Sequence, residues 1–399
     1  MLKAVRRVER CIMTLQGEIQ YSRYILYPVS DLDRKRLMEL TGEDSICPMD
    51  EFLGVANIPF SYTPDLALHI AKTAACSSSY EDAAERLKDY GVGADQARRV
   101  TDYVGNLIEE YDKDEIKRTI AGYSPKRCRA ARRGRRPTDG YTLYLEMDGA
   151  FFNTRGKSKE GSSYKETKLG IAFKSSDLTV DKEGNYHVGK RAYLSTNDGV
   201  DVFREVLLAL AIDCGLYDAS RVVILSDGAA WITNTWEKYF PFAIRILDLY
   251  HLKEKVGKFS FQIFKGKKNE QARVKWVQKT NKLLEEGKWK EVLNFKEVSA
   301  YKDKQVNSAA GEVNLYKYID DNKNFINYPE YKKEGLFIGS GAIESGNKIV
   351  MQKRLKLSGM RWKIIRAQAI MALRCKLMST GLWDEIVVPL HMKHYSKTA

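Results

Sequence analysis

Apolar and polar residues alternate on either side of Gly17, IMTL before it and EIQYSRYILY after it, so residues 12–27 predict two strands joined by a tight turn. From Thr63 to about Ile116 the apolar spacing lengthens to three and four, through Leu66, Ile70 and Ala74, then Ala84 and Leu87, then Ala97, Val100, Val104 and Leu107. That period predicts a compact helical unit. Within it, SYEDAAERLKDY and ADQARRVTDYVGNLI flank Gly91-Val92-Gly93, the spacing of a helix-turn-helix, with an ordinary helical hairpin as the alternative. Gln96, Arg98 and Arg99 fall in the first turns of the second helix, where a recognition helix meets base edges and phosphates.

From Tyr141 the text turns strand-rich. YTLYLEMDGAFFNT, KETKLGIAFKSSD and HVGKRAYLSTND predict three strands of an antiparallel meander, followed by a helix from about Gly199 to Cys214. RVVILSDG, a short helix around Trp231 to Phe240, and AIRILDLYHL then alternate apolar runs with a helix, as buried parallel strands do. Three antiparallel strands, a helix and β-α-β is the order of a ribonuclease H-like fold. Residues 256–336, lysine-rich and mostly helical in period, interrupt that order as an insertion, and a helical stretch from about Ser340 to Thr380, broken near Gly359, resumes it. The expected fold class is therefore α/β: a ribonuclease H-like catalytic core with a mainly helical insertion, preceded by a small β element and a helix-turn-helix-like DNA-binding domain. The boundaries are 1–60 for the β element, 61–118 for the helical domain, 119–140 for a linker, 141–255 and 337–399 for the core, and 256–336 for the insertion.

Charge adds a partner. The chain carries 66 Lys and Arg against 52 Asp and Glu, a formal +14, which favours a polyanion. The excess is concentrated in SPKRCRAARRGRRPTDG, where Lys126, Arg127, Arg129, Arg132, Arg133, Arg135 and Arg136 face only Asp139. Such a run is expected to stay out of a core and follow DNA, since each phosphate contact releases counterions. The six cysteines never fall in a C-x-x-C pair, which argues against a disulfide framework or a zinc ribbon. No stretch is apolar enough for a signal-peptide core or a membrane span, so the expected location is cytoplasmic, nucleoid-associated, with no membrane partner.

Chemistry gathers at three acids. Asp148 follows an apolar strand and precedes Gly149, and Asp227 repeats the arrangement before Gly228, at the carboxyl end of a buried run where α/β sheets place ligands. Either aspartate alone could be a helix cap. Glu344 opens the helix of GSGAIESGNKIVMQKRLK, where the helix dipole alone would favour an acid. Together they supply the convergent carboxylates that a two-metal phosphoryl-transfer site needs. Lys348 and Gln352, four and eight residues on, with Lys353, Arg354 and Lys356 beside them, are placed to grip DNA, while Ile349, Val350 and Leu357 form the buried side.

LEMDGAFF, ILSDGAAWI and GSGAIESGNKIVMQKRLKLSGMRW together resemble a DDE transposase of the prokaryotic insertion-sequence group related to Mutator-like elements. The resemblance covers roughly Tyr141 to Trp383. It implies that Asp148, Asp227 and Glu344 are the metal ligands, and that Asp248 and His251, matching an acid-x-x-His element, adjoin the site. It also implies that Arg361 and Trp362 pack behind the active site or stack on DNA. Two Mg²⁺ ions are expected, with Mn²⁺ as the alternative. Relatives often carry N-terminal cysteine pairs, whereas Cys47 stands alone here, so no zinc site is expected there. The implied activity is metal-dependent cleavage and strand transfer at insertion-sequence ends. Double-stranded DNA, the terminal inverted repeats and the target would be partners of a homodimer or larger synaptic assembly. The competing readings are a ribonuclease H-like nuclease without strand transfer and a domesticated DNA-binding protein.

Overall fold

The structure, a computed structural model, describes residues 1–56, 60–134, 136, 139–156, 163–183, 186–307 and 311–396. The chain divides into two compact units: Met1–Lys117, Phe151–Glu166 and Ile349–Ala399 form a hairpin-helix unit, and Arg118–Ala150 with Thr167–Lys348 form a sheet unit.

The hairpin-helix unit opens with β1 (Leu2–Thr14) and β2 (Gly17–Pro28), an antiparallel pair turning at Gly17, whose φ of 123° suits a residue without Cβ. α1 (Asp31–Thr41) starts at Ser30, whose side chain accepts from the Asp33 amide, and stops at left-handed Gly42. α2 (Pro48–Phe52), α3 (Pro64–Cys76), α4 (Tyr80–Arg86) and α5 (Ala94–Ile120) follow. The helical period read from Thr63 is present, but the second helix of the expected helix-turn-helix runs for 27 residues.

In the sheet unit α6 (Pro125–Ala131) lies inside the basic run, which was expected to stay unpacked. Cys128 is buried, Arg132 donates to the carbonyls of Cys128 and Leu216 and covers the Phe242 ring at 4.5 Å, and Arg127 lies 5.4 Å from the Tyr217 ring centre. Arginine stems and planar guanidinium faces pack on aromatic surface, so a basic run need not be solvated throughout. Arg129 and Arg133 are exposed, and Arg135 lies outside the described residues.

The main sheet has the order β7-β4-β3-β8-β9, built from β3 (Thr142–Asn153), β4 (Tyr164–Lys174), β7 (Ala192–Thr196), β8 (Arg221–Ser226) and β9 (Ile244–Leu247). β4 and β7 are antiparallel, whereas β3, β8 and β9 run parallel. HVGKRAYLSTND does not form one strand: β5 (Leu178–Val180) and β6 (Tyr186–Val188) make a separate hairpin, leaving only β7 in the sheet. α7 (Val200–Asp213) lies on the sheet, with Leu207, Leu210 and Phe203 over Gly170 of β4. α8 (Ala230–Tyr239) links β8 to β9.

The stretch expected as an insertion, 256–336, is helical, but its first helix, α9 (Leu249–Ile263), begins before it; α10 (Glu270–Glu285), α11 (Trp289–Leu293), α12 (Lys296–Ser299), α13 (Leu315–Asn322) and α14 (Tyr328–Lys333) follow. α15 (Gly341–Gly346) runs into a π-helical stretch, Asn347–Gln352, and then α16 (Lys353–Leu355). The chain breaks around Gly359 as expected and ends in α17 (Ile364–Met378) and α18 (Val388–Ser396). These last helices belong to the hairpin-helix unit. At Gly105 of α5 an added Cβ would lie 2.5 Å from the Ala369 carbonyl oxygen of α17. Backbone cannot yield as a side-chain tip can, so Gly105→Ala should destabilise by about 2–3 kcal/mol in denaturant titration, despite the helix propensity gained.

His391, fully buried, donates from Nε2 to the Pro64 carbonyl at 3.0 Å, and burial pushes its pKa down from 6.5 to about 4. The unfolded chain therefore takes up a proton below pH 6.5 that the folded chain refuses until about pH 4. Stability is present above the unfolded value and is lost as pH falls through this window, by up to about 3 kcal/mol. His391→Gln keeps a donor without a titration, and its urea midpoint should fall less than the wild-type midpoint between those pH values.

Candidate metal centre

The middle of β3 and the carboxyl ends of β8 and β9 carry a row of aspartates. Glu146 pairs with Leu225, and Ser226 with Leu247. Continuing these registers sets Asp148 beside Asp227 and Asp227 beside Asp248. Asp227 was expected at a sharp turn, and Gly228 does take a φ of 81° there, its α-carbon so close to Leu247 that a Cβ would approach Cδ1 to 2.9 Å. Asp148 was expected at a strand exit, yet β3 continues to Asn153 and Gly149 keeps a negative φ. The pairing with β8 ends just before Asp148, at Glu146.

The buried acids dock α15 on this row. The amide of Ser340 donates to Asp248 Oδ2 at 2.7 Å, the amide of Ile343 donates to Glu146 Oε2 at 2.8 Å, and the Asn347 side-chain amide donates to Asp148 Oδ2. Backbone amides at a helix start are free to bind anions, which explains why carboxylates receive this end. Asp248 also caps α9 through the His251 amide at 3.1 Å, and its carboxylate stands 3.6 Å from His251 Nδ1, an ion-pair distance too long for a hydrogen bond.

Among the described residues, the group that brings three ligand atoms within 4.8 Å of one another is Asp248, His251 and Glu344. Asp148, Asp227 and Glu344, the expected ligand trio, do not make such a group by themselves. The seating of α15 turns Glu344 toward the two residues expected only to adjoin the site. Asp148 and Asp227 remain close enough to act on the same histidine: Asp248 raises the His251 pKa against burial, and the charges of Asp227 and Asp148 add to the rise. Burial and the charge of Asp227 raise the Asp148 carboxyl, while Gly149, His251 and Asn347 oppose them. Burial would raise Asp248 as well, but His251 and the Ser340 amide outweigh it and hold the carboxyl below its usual range. Glu146, wholly buried with Oε1 unpartnered, is pushed far up by burial.

A divalent cation fits this set. Two carboxylates and an imidazole offer both charge and donors, and His251 Nδ1 is buried without a hydrogen-bond partner. The mixed nitrogen and oxygen donors suit Mn²⁺ better than Mg²⁺, which prefers oxygen throughout.

The expected DNA-contacting residues are more varied. Gln96 accepts from the Gly93 amide at 2.6 Å as a helix cap, Arg98 pairs with Asp95 and with Asp102 at 2.9 Å, and Arg99 pairs with Asp95 at 2.7 Å. Lys348, Lys353 and Arg361 are exposed and Gln352 is half-buried. The α-helical count of four and eight from Glu344 does not hold, because Asn347–Gln352 is π-helical. Arg354, expected on the DNA-facing side, is 1% exposed, and Leu357, expected inside, is 38% exposed. Trp362 is buried. Glu146 and Asn347 escaped the sequence reading, although a glutamate at period two from Asp148 inside an apolar strand was a signal.

A mixed α/β sheet unit with acids aligned across adjacent parallel strands is the class of protein that fold and site define. The chain belongs to the Uncharacterised protein family (UPF0236), whose model matches residues 2–388. No curated protein matches the sequence. Among solved structures, the Drosophila P element transposase strand transfer complex is similar at 10% identity and a TM-score of 0.27, over 91% of this chain and 87% of that one, a likeness too slight to define a shared fold. No helix among the described residues is long and apolar enough to cross a membrane.

Proposed function

We propose that this chain is a DDE-type transposase of a prokaryotic insertion sequence, cutting and joining double-stranded DNA at a ribonuclease H-like core in its sheet unit. The observation that carries the reading is the row of Asp148, Asp227 and Asp248 on adjacent parallel strands, all acting on His251, with Glu344 delivered to the same place by α15. The sheet order, two antiparallel strands on one side of β3 and two parallel strands on the other, supports the core assignment.

Asp248, His251 and Glu344 would hold one divalent ion, and Asp148 and Asp227 would face a second. Bound divalent ions supply a nucleophilic water or hydroxyl and neutralise charge on the phosphate. The protein holds the carboxylates in fixed directions, and α15 keeps Glu344 in place through amides tied to Glu146 and Asp248. The exposed Arg129, Arg133, Lys348, Lys353 and Arg361 would contact phosphates of the terminal inverted repeats and target. Joining two ends calls for a dimer or larger synaptic assembly.

The test is purified full-length protein with labelled duplexes carrying the ends of its own element, in Mg²⁺ or Mn²⁺. Nicked ends and covalently joined products are expected. Hydrolysis without joining would make it a nuclease, and binding without either would make it a domesticated DNA-binding protein.

A further inference from the structure

In the hairpin-helix unit a cavity of about 260 Å³ is lined by Arg98, Arg155, Arg354, Arg361, Lys363 and Arg366, with Glu81 as the acid among its lining residues. Arg98 and Arg366 share Asp102, at 2.9 and 3.2 Å. Arg354 makes no ion pair among the described residues, although the charges of Glu81 and Asp82 act on it. It is 1% exposed and lies against two other lining residues, its guanidinium 4.6 Å from the Tyr80 ring centre and 4.8 Å from that of Trp362. Its Nε reaches the Ala74 carbonyl at 3.4 Å, a long contact, while Nη2 has no hydrogen-bond partner. The Tyr80 hydroxyl and the Trp362 indole nitrogen, on the two rings that flank it, are likewise buried without partners.

A buried guanidinium needs an anion or a full set of acceptors, and unmade donors are costly in a dry site. Here a cation and two neutral donors, on side chains in mutual contact, lack acceptors beside a cavity ringed by further cations. A tetrahedral anion with several oxygens can serve more than one of these donors at once, and arginine pairs with phosphate through two parallel bonds. Burial against the two rings already restricts the Arg354 side chain, so little of its freedom is lost on binding. At the rim, Arg361 is exposed and its carbonyl accepts from Arg155 Nε at 3.1 Å.

We propose that this cavity is a phosphate site, in which one phosphate group accepts hydrogen bonds from Arg354, Trp362 and Tyr80 while Arg155 and Arg361 screen its charge. The phosphate could be a phosphodiester of a bound DNA strand or belong to a free phosphate ligand. Naming DNA as its source rests on the proposed function, whereas the preference for phosphate does not.

The experiment is calorimetric titration of inorganic phosphate into the full-length protein at constant ionic strength, with chloride as control, followed by competition with duplex DNA. Wild-type protein should show saturable binding at one site. Trp362→Phe keeps an aromatic ring beside Arg354 and removes the indole N–H, and Arg361→Ala removes a rim charge. Each should weaken phosphate binding by about tenfold, the first by losing a charge-assisted hydrogen bond and the second by losing a nearby positive charge. Displacement by DNA would support the strand as the source, and phosphate binding that DNA leaves untouched would overturn that source in favour of a free ligand. Absence of saturable binding, or wild-type affinity in both variants, would overturn the site itself. Asp227→Asn should bind phosphate as wild type does, so loss of DNA cleavage and failure of this site are separable.

Discussion

Asp227→Asn should lower cleavage of element-end DNA by about 10³-fold while leaving the urea midpoint close to wild type, because it removes a charge and keeps the local hydrogen bond. Asp227 Oδ1 accepts from the Ala229 amide at 3.0 Å, and an asparagine oxygen can do the same. Gly228 keeps the turn, and the Tyr318 hydroxyl still donates to the residue's backbone carbonyl at 2.6 Å. What disappears is negative charge beside Asp148 and Asp248, on which a divalent ion near a phosphodiester depends. Gel assays of nicked product under single-turnover conditions, with denaturation curves on the same preparations, make the comparison. Cleavage within about threefold of wild type would remove Asp227 from the reaction.

Arg374→Met should cost about 3 kcal/mol of stability, read as a shift in denaturant midpoint. Arg374 is 3% exposed and donates to the carbonyls of Ala75, Ile349 and Val350, the last at 2.6 Å. Ala75 lies in the last turn of α3, whose carbonyls have no partner within the helix, and Ile349 and Val350 lie in the π-helical turn. One planar cation thus satisfies carbonyls from two elements, at an expense visible in its own acidity: burial lowers its pKa to about 10. Methionine fills comparable volume and leaves those oxygens dry. A loss under about 1 kcal/mol would mean that water or a rearranged turn replaces the guanidinium.

Much of the fold was legible because its elements are strongly periodic. The hairpin at Gly17, the helices from Thr63, the strands around Asp148 and Asp227 and the helices within residues 256–336 stand close to where their patterns put them. What could not be read depends on packing between distant residues. Nothing local in KRCRAARR announces that Arg132 will cover Phe242, and nothing in KRLK announces that Arg354 will be enclosed by Tyr80 and Trp362. The π-helical turn escaped for the same reason, since its carbonyls turn to an arginine 24 and 25 residues away. In the candidate centre, the aspartates were visible as acids after apolar runs. Which carboxylates meet Glu344 was not, because Glu146 and Asp248 decide that by holding the amides of Ile343 and Ser340.

The most direct test of the central claim, that these acids and His251 hold divalent ions together, is Mn²⁺ binding followed by electron paramagnetic resonance with an element-end duplex bound. Wild-type protein should bind Mn²⁺ saturably, and Asp248→Asn and Glu344→Gln should each weaken it by about tenfold or more, as losing one carboxylate ligand requires. Equal Mn²⁺ affinity in wild type and both variants, with the duplex still bound, would contradict it.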